Sequence, residues 1–215
     1  MRMAELSRTT GVPVATIKYY QREQLLHPAE KTGPTQSVYD DTHVRRLQLI
    51  LALVEVGKLA INSVRSVLTA LDSDAPLLYT FDIAQQSVSE HLSVDELDPR
   101  ALARADEFME GWRVSPANPG RLAAAHVMQS FDQAGQDIQP AWFARYAESA
   151  MIAAQADLDE VDARAGREAK AEIVVVGTVL GDAMFSGFRR AAQEHVASER
   201  YAAPPYPVAD LSKEQ

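Results

Sequence analysis

The stretch GVPVATIKYYQREQLL, Gly11–Leu26, constrains the N-terminal part of this chain most tightly. The preceding MAELSRTT has helical spacing, with Met3, Leu6 and Thr10 on one face, and Gly11 separates the two segments. Pro13 restarts a helix near its first position, where a missing N–H costs nothing. Over Pro13–Gln24, the residues Ala15, Thr16, Lys18, Tyr19 and Arg22 share one side, because positions three and four apart are neighbours. Val14, Ile17 and Gln21 turn to the other side, with Ile17 as the apolar anchor. The front therefore carries two cations and two hydroxyls. That suits a helix lying in a DNA major groove, with Lys and Arg for phosphates or guanine edges and Thr and Tyr for phosphate oxygens. Taken alone, the same face reads better as a solvated surface, since short basic helices are common.

The context decides between the two. Helix, glycine turn, helix is the helix-turn-helix pattern. Beyond it, Leu25, Leu26 and Pro28 turn the chain, and Lys31–Tyr39 places Gly33-Pro34 between short flanks, which predicts a small β hairpin, or wing. Asp40 and Asp41 can cap a helix over Thr42–Val56, with Val44, Leu47, Ile50, Leu51 and Val54 inward and Gly57 at its end. Leu59–Leu71 follows as a further helix. The run TIKYYQREQLL, then Pro28, then Tyr39-Asp40, then VRRLQLILALVEVGKLAINSVRSVL closely resembles the N-terminal domain of MerR-family transcriptional regulators. Several separated motifs agree over about residues 1–70, in the family's order.

The resemblance implies a recognition helix in the major groove and a wing on the flanking backbone. By motif match, Thr16, Lys18, Tyr19 and Arg22 take DNA-facing positions, and Tyr20 supports the core or a phosphate. Lys31 serves the wing, and Tyr39 matches the aromatic that ends it. These seven are the candidate DNA-binding residues. The resemblance also implies homodimers on pseudo-palindromic promoter sites, contact with RNA polymerase, and a C-terminal domain that senses an effector. Two departures stand out. In Thr35-Gln36-Ser37-Val38 a serine replaces the arginine expected near the wing's end, so the wing's phosphate grip should be weaker. The family's long dimer helix is cut at Ser93–Pro99, so its antiparallel coiled coil is expected to be replaced.

Charge separates the chain in the same way. Residues 1–70 hold nine Lys/Arg against six Asp/Glu, a net +3, whereas residues 71–215 hold twelve against twenty-four, a net −12. The first part can approach DNA, and the second is kept off it. Asp72–Pro76, short and polar, reads as the boundary, and everything after it reads as helix. Helices are expected over Leu77–Leu92, Pro99–Arg113, Arg121–Ala134, Pro140–Gln155, and from Asp159 to about Arg200. The expected fold class is mainly α. A winged helix-turn-helix domain (1–71) and a linker (72–76) precede an all-helical effector and dimerisation domain (77–200) and a flexible, proline-rich tail (201–215). The stripe Val174, Gly177, Gly181 and Phe185 makes the last helix the best dimer candidate.

Other chemistry is thin. No cysteine is present, which excludes thiolate metal sensing and thiol redox sensing. The five histidines show no metal-ligand spacing with one another, so neither metal nor cofactor is expected. No phosphate-cradling loop, nucleophile elbow or other catalytic constellation appears, so the reading is not an enzyme. The run Ile173–Leu180 is too short to cross a bilayer, and a cytoplasmic protein with no membrane partner is expected. Phe108, Trp112, Trp142, Phe143, Tyr146 and Phe185 are either ordinary core or the lining of a pocket for a small apolar or cationic-apolar effector. Two rival functions remain: an architectural DNA-binding protein of the excisionase type, and a regulator whose C-terminal domain serves only dimerisation or protein contacts.

Overall fold

The computed structural model describes residues 1–33, 36–89 and 91–201. The tip of the predicted wing at Pro34-Thr35 and the tail beyond Tyr201 lie outside them. The chain divides into two compact units, Met1–Leu180 and Gly181–Gln215.

In the first unit, α1 (Met3–Thr10) and α2 (Val14–Arg22) are joined through Gly11, whose φ of 71° is the left-handed conformation that favours glycine. β1 (Glu30–Gly33) and β2 (Gln36–Val38) pair antiparallel, with Glu30 opposite Val38 and Lys31 opposite Ser37. α3 (Asp41–Leu51) starts on Asp40, whose carboxylate accepts the Thr42 and His43 backbone N–H groups. It continues into a π-helical turn at Ala52–Val56, where a plain α-helix was expected. α4 (Ile61–Leu71) and α5 (Leu77–Val88) follow and pack together. Next come α6 (Pro99–Phe108), capped by Asp98, and α7 (Pro119–Gln133), capped by Asn118, each with proline at its first position. α8 (Pro140–Asp162) and α9 (Arg167–Arg200) end the described chain. Asp159–Asp162 therefore closes α8 and does not open the last helix; the break carries Gly166 at φ 80°.

Two apolar clusters organise the first unit. One joins Leu6, Ile17, Leu25, Leu47, Ile50, Leu53, Val64 and Leu68 with Ala84 of α5 and Val175 and Val179 of α9. The core around the helix-turn-helix thus continues past Asp72–Pro76. That segment is itself held from two sides: Arg46 of α3 grips Asp72 at 2.8 and 2.6 Å, and Arg167 donates to the Ala75 carbonyl. The second cluster packs α6, α7 and the start of α8 around Ala105, Leu122, Ala125 and Phe143.

Within the described residues, α9 is long and apolar enough by composition to span a membrane, although the run Ile173–Leu180 alone is not. Its Ala171, Val174, Val175 and Val179 are buried within the protein, on one side of a helix that is otherwise largely exposed. In the second unit, Met184, Phe185 and Phe188 are exposed.

Candidate DNA interface and effector cavity

α2 is two-sided. Ile17 is fully buried and Tyr20 is 5% exposed, while Lys18 and Arg22 face solvent and Thr16 and Tyr19 are half-buried. The Arg22 guanidinium lies 6.0 Å from the Tyr19 ring centroid, within reach of a weak cation–π contact. Ser7 Oγ donates to the Val12 carbonyl at 2.6 Å and Thr10 Oγ1 to the Leu6 carbonyl at 2.8 Å, which closes the turn between α1 and α2.

The far end of α2 is held by two arginines. Arg65 Nε donates to the Glu23 carbonyl at 3.0 Å and its Nη2 to the Glu23 carboxylate at 2.6 Å. Arg46 Nε donates to the Leu25 carbonyl at 2.9 Å. Arg46 and Arg65 thus spend their charge inside the protein on positioning α2. Sequence reasoning passed over both, since their partners lie more than twenty residues away.

Two of the candidate residues, Tyr20 and Tyr39, are buried. Tyr39 is 3% exposed, and its hydroxyl accepts from Gln21 Nε2 at 3.2 Å, tying the wing's exit to the back of α2. Its carbonyl accepts from the Met1 ammonium at 2.6 Å. Tyr20 is buried, and that burial, with Glu55 nearby, raises its phenol pKa. Both tyrosine rings are buried on the core side of α2. Lys31, by contrast, is exposed on β1.

Comparison with known proteins bears on this geometry. Residues 1–71 match the pattern of MerR HTH family regulatory proteins. The nodulation protein NolA of Bradyrhizobium elkanii is 39% identical over 56 residues, a match that takes in only 26% of each chain. The crystal structure of SCO5550 from Streptomyces coelicolor A3(2), a protein assigned as a transcriptional regulator, superimposes with a TM-score of 0.72 at 31% identity. That likeness covers 96% of this chain and all of the other. The chain belongs to the MerR family. It is a DNA-binding transcriptional regulator of the MerR type.

Outside the helix-turn-helix, this MerR protein has a shallow cavity of about 440 Å³, widely open to solvent, between α6, the turn after it and α8. Phe108 and Trp112 line it, with Met151, Ile152, Glu107 and Glu148. The other four aromatics of the expected pocket are elsewhere. Phe143 is buried in the second cluster, 5.7 Å from the Phe108 ring. Trp142 and Tyr146 lie at the surface with ring centroids 4.5 Å apart and planes tilted by 51°. Phe185 belongs to the second unit and is exposed. The two glutamates were not singled out from sequence, because nothing there showed that α6 and α8 would face each other.

The histidines differ from expectation as well. His27 and His43 meet with ring centroids 3.9 Å apart, beside Asp40. The Thr42 hydroxyl and His43 hold the Asp40 carboxyl well below the usual carboxylate range. Burial, followed by the charges of His43 and Arg46, pushes His27 down.

Proposed function

We propose that two copies of this chain bind a pseudo-palindromic promoter site, each laying α2 in a major groove and the wing against the adjoining backbone. The two-sided α2 carries the reading: its back is packed into the core, and its front presents Thr16, Lys18, Tyr19 and Arg22. Lys31 adds a wing contact, and Tyr20 and Tyr39 stiffen the support. In this reading residues 1–71 bind DNA, residues 77–200 dimerise and sense an effector, and RNA polymerase is engaged at the same promoter. The protein is non-enzymatic and works in the cytoplasm.

The dimer is assigned to the last helix. Met184, Phe185 and Phe188 are exposed at three- and four-residue spacing, and a Cβ at Gly177 or Gly181 would meet nothing within 4 Å in the chain. These glycines are therefore not used for close packing within one copy and leave room for a second helix. Val174, expected in this stripe, is buried and excluded from it.

The effector is assigned to the cavity beside Phe108 and Trp112. Two aromatic rings with Glu107 and Glu148 favour a small molecule with an apolar body and a positive charge.

The test uses a DNA site selected by the full chain from random duplexes. Lys18→Ala and Arg22→Ala should each weaken it by about 1–3 kcal/mol where they read a base, or lower the salt slope by about one where they hold a phosphate. Wild-type affinity and salt dependence in both variants would remove α2 from the interface.

A further inference from the structure

We propose that His27, Asp40 and His43 form a binding site for a divalent transition-metal ion of the zinc class, at the junction of α2, the wing and α3. His27 stands just beyond the end of α2, Asp40 where the chain leaves the wing, and His43 in the first turn of α3. One potential ligand atom from each lies within 4.8 Å of the other two. His43 Nδ1 is 2.7 Å from Asp40 Oδ1, and His27 Nε2 is 2.8 Å from the Thr42 hydroxyl. That hydroxyl in turn is 2.5 Å from the same Asp40 oxygen. A tetrahedral zinc with bonds of about 2.1 Å needs ligands about 3.4 Å apart, so the three close on an ion by moving little more than an ångström. His27 and Asp40 are exposed, Asp40 Oδ1 is anchored by the α3 cap, and the buried His43 ring, edge-on to Tyr39 at 5.2 Å, supplies the fixed member.

The donor set selects the ion. Two imidazoles and one carboxylate suit zinc and its neighbours, whereas magnesium and calcium need more oxygen. Three protein ligands leave a position open for water. At the place His43 holds in α3, a Glu or Gln side chain returns to the cap N–H, and His43 Nδ1 does so at 3.2 Å. Unlike an exposed Glu or Gln, however, His43 keeps Nε2 buried without a hydrogen-bond partner among the described residues. Nδ1, the nitrogen that faces Asp40, is the one placed to hold an ion. An ion held by residues 27, 40 and 43 would tie the exit of α2 to the exit of the wing. That consequence rests on the proposed DNA interface; the site itself does not.

The test is calorimetric titration of the chelator-treated full chain with zinc alone at pH 7.5, with magnesium as the control. His27→Ala removes an exposed side chain, and Asp40→Asn keeps a capping oxygen while losing the charge. We expect one zinc per chain, a raised Tm, no magnesium binding, and at least tenfold weaker zinc binding in both variants with unchanged helical circular dichroism. Absence of saturable zinc binding overturns the proposal. So does wild-type zinc affinity in His27→Ala, which would move the ion to another pair such as His195–Glu199, 3.6 Å apart. Lys18→Ala reads the DNA interface separately, so the two ideas fail independently.

Discussion

Arg121 grips Asp106 with two hydrogen bonds, Nε to Oδ1 at 2.6 Å and Nη2 to Oδ2 at 2.8 Å, and donates a third to the Pro116 carbonyl. The guanidinium holds the Asp106 carboxyl below its usual range. The unfolded chain therefore takes up this proton first as pH falls. The contribution of the pair to stability is complete above about pH 4 and is lost as pH drops through the lowered folded value. Asp106→Asn is expected to lower Tm at pH 7 and leave it nearer to wild type at pH 3, so that Tm against pH becomes flatter on the acid side. An unchanged acid limb would mean that this half-exposed pair carries no net stabilisation. At the same scale, the positions of Lys18 and Arg22 were legible because helical spacing alone sends them away from Ile17. Tyr39 was not: a tyrosine suits either face, and only its contact with Gln21 decides. His27 and His43 were also illegible as a pair, since the whole wing separates them in the chain and spacing rules see only neighbours.

Elements were read best where a residue has one reason to be present. Asp98-Pro99 and Pro140 mark helix starts in the sequence and in the structure. Ends were harder: α6 stops at Phe108, short of the expected Arg113, and α8 runs on through Asp162. The turn after α3 shows why. Gly57 ends the helical segment as expected, yet not in the left-handed form usual for such a glycine: its φ is −69°, and Lys58 takes the positive angle of 56°. The glycine is required for space. A Cβ there would lie 2.2 Å from Val179 Cγ1 and 2.7 Å from the Leu53 carbonyl oxygen. A partner more than a hundred residues away leaves no local signal. Gly57→Ala is expected to destabilise the protein by about 1–3 kcal/mol, the usual cost of overpacking a filled core. Urea unfolding measures it. A wild-type midpoint would show that α9 yields at this contact.

At the scale of the whole molecule, the two ends of the sequence share one core. α8 lines the cavity with Ala144, Ala147, Glu148, Met151 and Ile152. Residues 163–166 then lead into α9, whose Val175 and Val179 complete the core around the helix-turn-helix. Arg167, at the start of α9, also holds the Ala75 carbonyl in the segment after α4. A ligand changes DNA affinity only by binding unequally to two arrangements of the protein. The contact of Val179 with the π-helical turn and Gly57 is a place where such arrangements can differ, because a π turn departs from regular helix and its packing partner comes from the cavity side. The prediction is specific to coupling. For an organic cation that quenches Trp112 fluorescence, Val179→Ala should leave the ligand's own affinity in the absence of DNA within about twofold. It should also shrink the change in DNA affinity that the ligand causes, by about 0.5–2 kcal/mol of coupling free energy. Because linkage is reciprocal, the same variant must reduce the effect of DNA on ligand affinity by the same factor. Full coupling in Val179→Ala, measured both ways, would show that the cavity reaches the DNA-binding helix by a route other than α9.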